Sequence, residues 1–166
     1  VMQRLAELEL TGIPYPEEFG GGGADYVSYA LVIEELAKVC PSTAVVLAVH
    51  TLSQAPILQF GTPEQKAKFS PMLASYKTLG GFALTEAGAG SDAGALTTTA
   101  VLDGDSYIIN GTKTFITNGD EAGVMIVMAK TGPGEGTKGI SAFIVEKSES
   151  PYTVGKHEDK MGVRGS

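Results

Sequence analysis

One stretch decides how this chain is interpreted: residues 81–94, which read GFALTEAGAGSDAG. The apolar run at its start is typical of a short β-strand, and it leads through Thr85 and Glu86 into a loop rich in glycine and serine. Such a loop leaves backbone N–H groups uncovered, and those groups suit an anion such as a pyrophosphate, or the carbonyl of a heterocycle. The stretch therefore predicts a strand that opens into a ligand-binding loop.

Two nucleotide-binding motifs resemble this loop but differ from it. Gly88, Gly90 and Gly94 give G-x-G-x-x-x-G, one residue away from the dinucleotide-binding G-x-G-x-x-G, and the β-forming residues 97–101 follow where that motif needs a helix. Residues 111–114 (GTKT) only look like a phosphate-binding P-loop, since its Gly-Lys-Ser/Thr spacing is missing. A wide connection between strands, whose glycines supply positive φ angles, stays open as the alternative to a ligand loop.

A second segment, residues 115–118 (FITN), complements the loop in residue type. A flat heterocycle binds against an apolar face and makes a few polar contacts at its rim. Phe115 offers an aromatic face, while Thr85, Ser91 and Thr117 offer hydroxyl groups. These residues are candidates for such a site, although the sequence does not say that they converge.

Composition narrows the classes of function. The chain has 166 residues and a net charge of −7, which argues against a broad nucleic-acid surface. The longest apolar run, near residues 43–49, is too short to cross a bilayer, so we expect no membrane span. Cys40 is the only cysteine and is predicted to be a buried structural thiol. His50 and His157 have no metal-ligand spacing around them, so we expect no metal site.

The pattern of the chain changes near residue 78. Before that residue, helices are predicted over 2–9, 26–39 and 43–52, followed by a short turn from Pro56 to Gly61. A further helix is predicted to start at the Thr62 capping box and to bend at Pro71. Asp25 should cap the second helix, whose core face should hold Tyr29, Val32, Ile33 and Leu36. After residue 78, seven short strands are predicted, over 81–85, 97–102, 107–109, 112–117, 124–130, 140–146 and 152–154. A polar loop is predicted between them over 132–138.

These elements predict an α+β chain with two parts. Residues 1–77 form a helical segment, and residues 78–166 form an antiparallel, barrel-like β-domain. Both ends of the sequence are abrupt, so we expect a piece of a longer protein.

Five ordered segments resemble the acyl-CoA dehydrogenase family, closest to its short-chain or butyryl-CoA branch. They lie at residues 10–22 (LTGIPYPEEFGGG), 60–73 (FGTPEQKAKFSPML), 82–94, 110–118 (NGTKTFITN) and 155–166 (GKHEDKMGVRGS). The resemblance implies the end of an N-terminal helical domain followed by the flavin-binding middle β-domain. It also implies that the family's C-terminal helical bundle is absent from this chain.

The resemblance implies roles for individual residues of the first flavin segment. Phe82, Leu84 and Thr85 match positions whose backbone and hydroxyl groups hold the flavin ring and its carbonyls. Gly90 and Ser91 match the part of the loop near the pyrophosphate of FAD. Ser91 also matches a position that contacts the thioester tail of the acyl-CoA substrate.

The second flavin segment is matched in the same way. Phe115, Ile116 and Thr117 correspond to its core, with the Thr117 hydroxyl group near flavin N5, the atom that receives hydride. Lys138 lies in a loop where some members contact the CoA moiety. Phe115 stands where tryptophan is common, which keeps an aromatic wall and removes an indole N–H donor.

The resemblance implies FAD-dependent α,β-dehydrogenation of an acyl-CoA, giving a trans-2-enoyl-CoA and passing electrons to an electron-transfer flavoprotein. The catalytic carboxylate is expected in the absent C-terminal region, so no residue here is named as catalytic. Ala87 stands where proline is common, and Arg164 matches a family position without a role that we can assign. A homotetramer or homodimer is expected, in the cytoplasm of a bacterium or the mitochondrial matrix of a eukaryote.

Three alternatives stay open. The parent protein could be an acyl-CoA oxidase-like or other flavoenzyme of the same fold, separated from a dehydrogenase by its reactivity with oxygen. The chain could be a non-catalytic binding or assembly module that pairs with partner subunits without retaining flavin. An unrelated β-barrel binding protein would have to explain five ordered matches as chance.

Overall fold

The computed structural model describes residues 1–134 and 136–166, so the predicted loop over 132–138 includes residue 135, which lies outside the described residues. Four α-helices come first and five β-strands follow. The helices are α1 (Met2–Glu7), α2 (Tyr26–Val39), α3 (Pro41–Phe60) and α4 (Pro63–Ala74). The strands are β1 (Gly80–Ala83), β2 (Thr99–Asp103), β3 (Ser106–Asn110), β4 (Val124–Lys130) and β5 (Ile140–Glu146).

The five strands form one mixed sheet around β4, so the expected antiparallel, barrel-like arrangement is wrong. On one edge β4 pairs with β5 antiparallel along its full length. On the other edge its first residues pair with β1, and Lys130 at its end pairs with Thr99 of β2, both in parallel. The chain between β1 and β2 therefore leaves this edge of β4 and returns to it. The glycine-rich loop lies in this connection between β1 and β2.

Two of the seven predicted strands do not form. Residues 112–117 lack strand pairing because Phe115 and the following Asn118 adopt left-handed backbone angles, with φ of 56° and 64°. Residues 152–154 also lie outside the sheet, where the Tyr152 hydroxyl group donates to the carbonyl oxygens of Gly119 and Ala122. Alternation of apolar residues does not reveal a left-handed turn, so the pattern overestimated strand content.

The helical half follows its local signals with two exceptions. Asp25 caps α2, and the predicted core face of that helix is half-buried. The predicted break before Pro56 is wrong, because α3 continues through it to Phe60 and buries neighbours on both sides of the proline. Cys40 is exposed and not buried, since it occupies the corner between α2 and α3.

Among the described residues, α3 is the single helix that meets length and composition criteria for crossing a membrane. Seven of its side chains are nevertheless buried, including the polar His50, Thr51, Ser53 and Gln54. The helix also packs against α2, α4 and β1. These contacts are those of a core helix, and His50, Ser53 and the side-chain nitrogen of Gln54 are hydrogen-bonded to backbone carbonyl groups of the fold.

His50 ties the helical half to the sheet. Its Nδ1 accepts from the backbone N–H of Gly80, the first residue of β1, at 2.9 Å. Its Nε2 lies 2.9 Å from the carbonyl oxygen of Leu73 in α4, so the two contacts fit a neutral ring with the proton on Nε2. The ring is fully buried, and burial lowers the pKa of His50 from 6.5 to about 4.

The buried neutral ring predicts a pH dependence of stability. Above pH 6.5 the ring is neutral in both the folded and unfolded states, and its contribution is fully present. As the pH falls toward 4, the unfolded chain binds a proton that the folded protein excludes, so the free energy of unfolding decreases. His50→Leu should abolish this dependence and lower the free energy of unfolding by about 2–4 kcal/mol, because Gly80 N–H and Leu73 C=O lose their partner.

Chemical denaturation at pH 7 and pH 5 measures both effects. His157→Gln is the matched control, because His157 is exposed and its ring lies beside the carboxylate of Asp120 at the surface. This control should keep the stability and the pH dependence of the unaltered protein. A His50→Leu protein that loses stability on acidification as steeply as the unaltered protein would contradict the assignment.

Candidate functional site

The structure brings the two predicted segments side by side, where the second segment is now taken as residues 110–118. The backbone N–H of Thr114 donates to the carbonyl oxygen of Thr85 at 2.9 Å. The Lys113 ammonium group donates to the carbonyl oxygen of Leu84 at 3.0 Å. These contacts place the residues after β1 against the segment that leads into Phe115.

A buried carboxylate lies at the centre of this region. Glu86 accepts five hydrogen bonds of 2.5–3.0 Å, from the backbone and hydroxyl groups of Thr97 and Thr98 and from the Lys113 ammonium group. The side chains of Glu86 and Lys113 are only 6% and 9% exposed. Burial by itself raises the pKa of Glu86, but the hydrogen bonds from Lys113 and the two threonines outweigh it, so the pKa lies well below its ordinary value and the group is ionised.

The glycine-rich loop projects outward from this centre. Two backbone hydrogen bonds between Glu86 and Ala89 close its first turn. A side chain at Gly88 or Gly90 would meet no other atom within 4 Å, so these glycines border open space. Gly88, Gly90 and Gly94 do not have positive φ angles, which removes the conformational reason for glycine that a plain strand connection would give.

The backbone donors of this loop are available to a ligand. Among residues 1–134 and 136–166, no acceptor is hydrogen-bonded to the N–H groups of Ala87, Gly88, Gly90 or Ser91. Consecutive free N–H groups in a loop form a concave surface that binds anions. Gly94, at the end of the loop, instead packs closely against the backbone of Gly136.

The segment around Phe115 is strained and open. Phe115 is 75% exposed although its backbone adopts a left-handed conformation, which is costly for a bulky residue. Ile116 next to it packs on the buried cluster of Ala83, Ala122 and Met125. The hydroxyl group of Thr117, half-buried, lies 2.9 Å from the hydroxyl group of Ser166.

The other predicted site residues lie in three different surroundings. Phe82 packs its side chain against the core, so a ligand could reach only its backbone. Leu84 lines a cavity of about 180 Å³ together with Ala93, Met128, Thr137 and Ile140. Ser91 and Lys138 are exposed, and among the described residues no hydrogen bond joins either one to the second segment.

Sequence reasoning missed Glu86 and Lys113. In the sequence, Glu86 stands out only as part of the glycine-rich stretch, and Lys113 only as part of residues 111–114, which resemble a P-loop. One signal was present, because Glu86 directly follows the apolar strand of the first segment and Lys113 is the one charged residue of residues 110–118. Opposite charges at such positions are buried only if they are paired, and that requirement indicates a contact between the two segments.

Comparison with known proteins identifies the family. The family model of the acyl-CoA dehydrogenase N-terminal domain matches residues 1–77, and that of the acyl-CoA dehydrogenase middle domain matches residues 81–166. The chain belongs to the acyl-CoA dehydrogenase family. The expected family is thereby confirmed, and the two site segments both lie in the part that matches the middle domain.

Curated relatives of this chain come from bacteria and mammals. It is 50% identical to an acyl-CoA dehydrogenase of Bacillus subtilis and covers 44% of that protein. It is 46% identical to the short-chain specific acyl-CoA dehydrogenase of Clostridium acetobutylicum and to the human mitochondrial short-chain enzyme, of which it covers 44% and 40%. Almost all of this chain is matched in each case, so it spans less than half the length of these relatives.

Three solved structures show the same fold over 98% of the chain. Butyryl-CoA dehydrogenase from Megasphaera elsdenii is 43% identical with a TM-score of 0.92, and this chain covers 44% of it. A chain from the structure of the electron transferring flavoprotein of Acidaminococcus fermentans is 48% identical with a TM-score of 0.93 and 43% covered. An acyl-CoA dehydrogenase of Bacillus anthracis complexed with FAD is 40% identical with a TM-score of 0.88 and 28% covered.

The strain at Phe115 predicts an unusual order of stabilities. Glycine adopts the left-handed region freely, whereas alanine does not, so Phe115→Gly should be more stable than Phe115→Ala by about 1 kcal/mol. Thermal or urea unfolding measures the difference. Ala30→Gly in α2 is the control, since there glycine should destabilise by about 1 kcal/mol. Equal stability of the two Phe115 variants would show that the backbone is not strained there.

Proposed function

We propose that the whole protein is an FAD-dependent acyl-CoA dehydrogenase that acts on a short-chain acyl-CoA thioester. The product would be a trans-2-enoyl-CoA, with electrons passed to an electron-transfer flavoprotein. The observation that carries the proposal is the contact between the glycine-rich loop and the segment around Phe115, in a chain that belongs to this family. Relatives named as short-chain or butyryl-CoA dehydrogenases support the substrate class.

The residues present fit an FAD molecule. Its pyrophosphate needs backbone donors, and the N–H groups near Gly88 and Gly90 are free within the described part of the chain. Its ring needs an apolar face and a few polar contacts, which the exposed Phe115 ring and the hydroxyl group of Thr117 can supply. The buried Oγ1 of Thr114 has no hydrogen-bond partner among the described residues, so this region holds an unused polar atom.

Individual roles follow from this fit as proposals. The backbones of Phe82 and Leu84 and the hydroxyl group of Thr85 would hold the flavin ring from the side of β1. Gly90 and Ser91 would bind the pyrophosphate through their N–H groups.

On the other side, Phe115 and Ile116 would form a wall and Thr117 would place its hydroxyl group at the ring edge. Ser91 and Lys138, both exposed, would contact the acyl-CoA.

The chemistry divides between the cofactor and the protein. FAD supplies the acceptor for the hydride that leaves the β-carbon of the substrate. The residues of this chain would bind and orient the cofactor and exclude water from its ring face. Glu86 is unsuited to remove the α-proton, because Lys113, Thr97 and Thr98 already occupy its oxygens. We therefore place the catalytic carboxylate outside these 166 residues, in the remaining length of the protein.

Partners and location are proposed from the same comparisons. The likeness to a chain in the electron transferring flavoprotein structure of Acidaminococcus fermentans supports such a flavoprotein as electron acceptor. A homotetramer or homodimer is proposed by analogy with the family. The protein would work in the cytoplasm if bacterial, or in the mitochondrial matrix if eukaryotic. Within it, we propose residues 1–77 and 78–166 as parts of two successive domains.

An absorbance spectrum of the purified whole protein tests the proposal. We expect flavin bands that bleach on anaerobic addition of butyryl-CoA, because a short-chain substrate reduces the bound FAD. Slow reoxidation in air would match a dehydrogenase, whereas rapid reoxidation would move the assignment to an acyl-CoA oxidase-like enzyme. A protein without flavin, or with flavin that no acyl-CoA reduces, would contradict the proposal and favour a binding or assembly module.

The Thr117 hydroxyl group gives a second test at residue level. Thr117→Val keeps the shape of the side chain and removes its hydrogen bond, so the rate of flavin reduction should fall about tenfold. Thr112→Val is the matched control, since Thr112 lies in the same segment but is exposed and without hydrogen bonds among the described residues. Stopped-flow measurement of both variants checks this, and equal rates would remove Thr117 from the site.

A further inference from the structure

The structure contains a buried ion pair that neither the fold nor the family match explains. Glu86 and Lys113 are joined at 2.8 Å and nearly inaccessible to solvent. A buried ion pair is weak evidence for stability, because the cost of removing both charges from water offsets their attraction. Attraction between the two charges is therefore a weak reason for burying them, and their other contacts have to be considered.

The contacts of the pair indicate that reason. Lys113 also donates to the carbonyl oxygen of Leu84, and its neighbour Thr114 donates its N–H to the carbonyl oxygen of Thr85. Glu86 holds Thr97 and Thr98 through both backbone and side chain. The pair therefore joins three pieces of chain: the end of β1, the start of the second segment, and the return to β2.

The pair also fixes where the loop begins and ends. Glu86 is the first residue of the turn that Ala89 closes, and Thr98 accepts from the N–H of Lys130 at the end of β4. Between them Ala89 and Leu96 are buried and Gly94 approaches Gly136. The residues that carry the free N–H groups are instead exposed, and a side chain at Gly88 or Gly90 would touch nothing. Without the Glu86 carboxylate, the base of the loop would lose five hydrogen bonds, and the direction of the free N–H groups would depend on the turn and on the burial of Ala89 and Leu96.

We propose that Glu86 and Lys113 are positioning residues that hold the glycine-rich loop and the second segment in the register required for FAD. This inference rests on the proposed function and adds to it a pair whose polar atoms are already bonded to protein groups. Lys113 holds Leu84 and Thr85 against the second segment, while Glu86 anchors both ends of the loop. The two charges cancel, so the pair leaves no net charge beside the loop that takes a pyrophosphate.

Three variants of the whole protein test the pair. Lys113→Met removes the ammonium group and leaves Glu86 as an unpaired buried charge. Glu86→Gln keeps the shape of the side chain and leaves Lys113 in contact with Leu84. The double variant Glu86→Gln/Lys113→Met has no charge at either position. Lys68→Met is the matched control, because it breaks an ion pair of 2.7 Å with Glu146 that touches neither segment.

Three measurements are made on each variant: the Kd of FAD for the apoprotein by flavin fluorescence, the melting temperature of the apoprotein, and the exchange rate of the Thr114 amide. Lys113→Met should raise the Kd of FAD at least about tenfold, lower the melting temperature and speed Thr114 exchange. Glu86→Gln should have a smaller effect on Kd because the contact with Leu84 remains. Lys68→Met should leave the Kd and the Thr114 exchange unchanged.

The double variant separates positioning from stability. It should recover much of the melting temperature, since no unpaired charge is buried, while its Kd for FAD stays high and its Thr114 exchange stays fast. Recovery of Kd together with melting temperature would overturn the inference, and so would a Lys113→Met protein that binds FAD as tightly as the unaltered one. If the unaltered protein binds no FAD, that result contradicts the proposed function. The exchange rate of the Thr114 amide in the variants would then still show whether the pair joins the two segments.

Discussion

The arrangement of the whole chain depends on how Gly80 is held at the start of β1. Its N–H donates to His50 of α3, and its carbonyl oxygen accepts from the Asn118 side chain at 2.9 Å. A side chain at this position would collide with Ser53, so the helix and the strand meet here at a distance that only glycine permits. Because Gly80 pairs with Val124, fixing it also fixes the register of β1 on the central strand β4.

Both site segments are positioned from this one residue. Four residues after Gly80, the chain leaves the sheet at Leu84 and enters the loop. Asn118, which binds the carbonyl oxygen of Gly80, ends the second segment and also reaches the carbonyl oxygen of Val46 in α3. The left-handed backbone of Asn118 allows this contact, and a short polar side chain tolerates that conformation better than most. Helical half, sheet and site are thus joined by side-chain to backbone hydrogen bonds, which have directions that apolar packing lacks.

What the sequence could predict was local, and what it could not predict depended on partners distant in the chain. The bounds of β4 and β5 agree with the predicted strands, because alternation and apolar content are properties of the segments themselves. The Thr62 capping box and the Asp25 cap are equally local. The parallel pairing of β1 with β4 was not predictable, since nothing in either strand specifies the direction of its neighbour. α3 continues through Pro56 because tertiary packing outweighs the missing hydrogen bond, and Cys40 is exposed because a corner separates two helices there.

The candidate site shows the same difference between local features, which the sequence predicts, and contacts between distant residues, which it does not. Residue types suggested Thr85, Ser91, Phe115 and Thr117, and the structure brings their two segments together without a direct hydrogen bond among these four within the described residues. The strain at Phe115 and the open space beside Gly88 needed coordinates, because backbone angles and empty volume are not properties of a residue type. Family resemblance supplied roles that geometry alone would not assign, and geometry supplied Glu86 and Lys113.

Charge explains why the loop needs such a pair. The chain carries a net charge of −7, so binding a pyrophosphate works against the field of the protein as a whole. An unpaired carboxylate near a bound phosphate would oppose it by like-charge repulsion, which is stronger in the low dielectric of a partly buried site than in water. Glu86 has to be ionised to accept five hydrogen bonds, and Lys113 is the buried cation that cancels it. With the pair neutral, Glu86 adds no net charge beside the loop, and the free N–H dipoles there favour an anion.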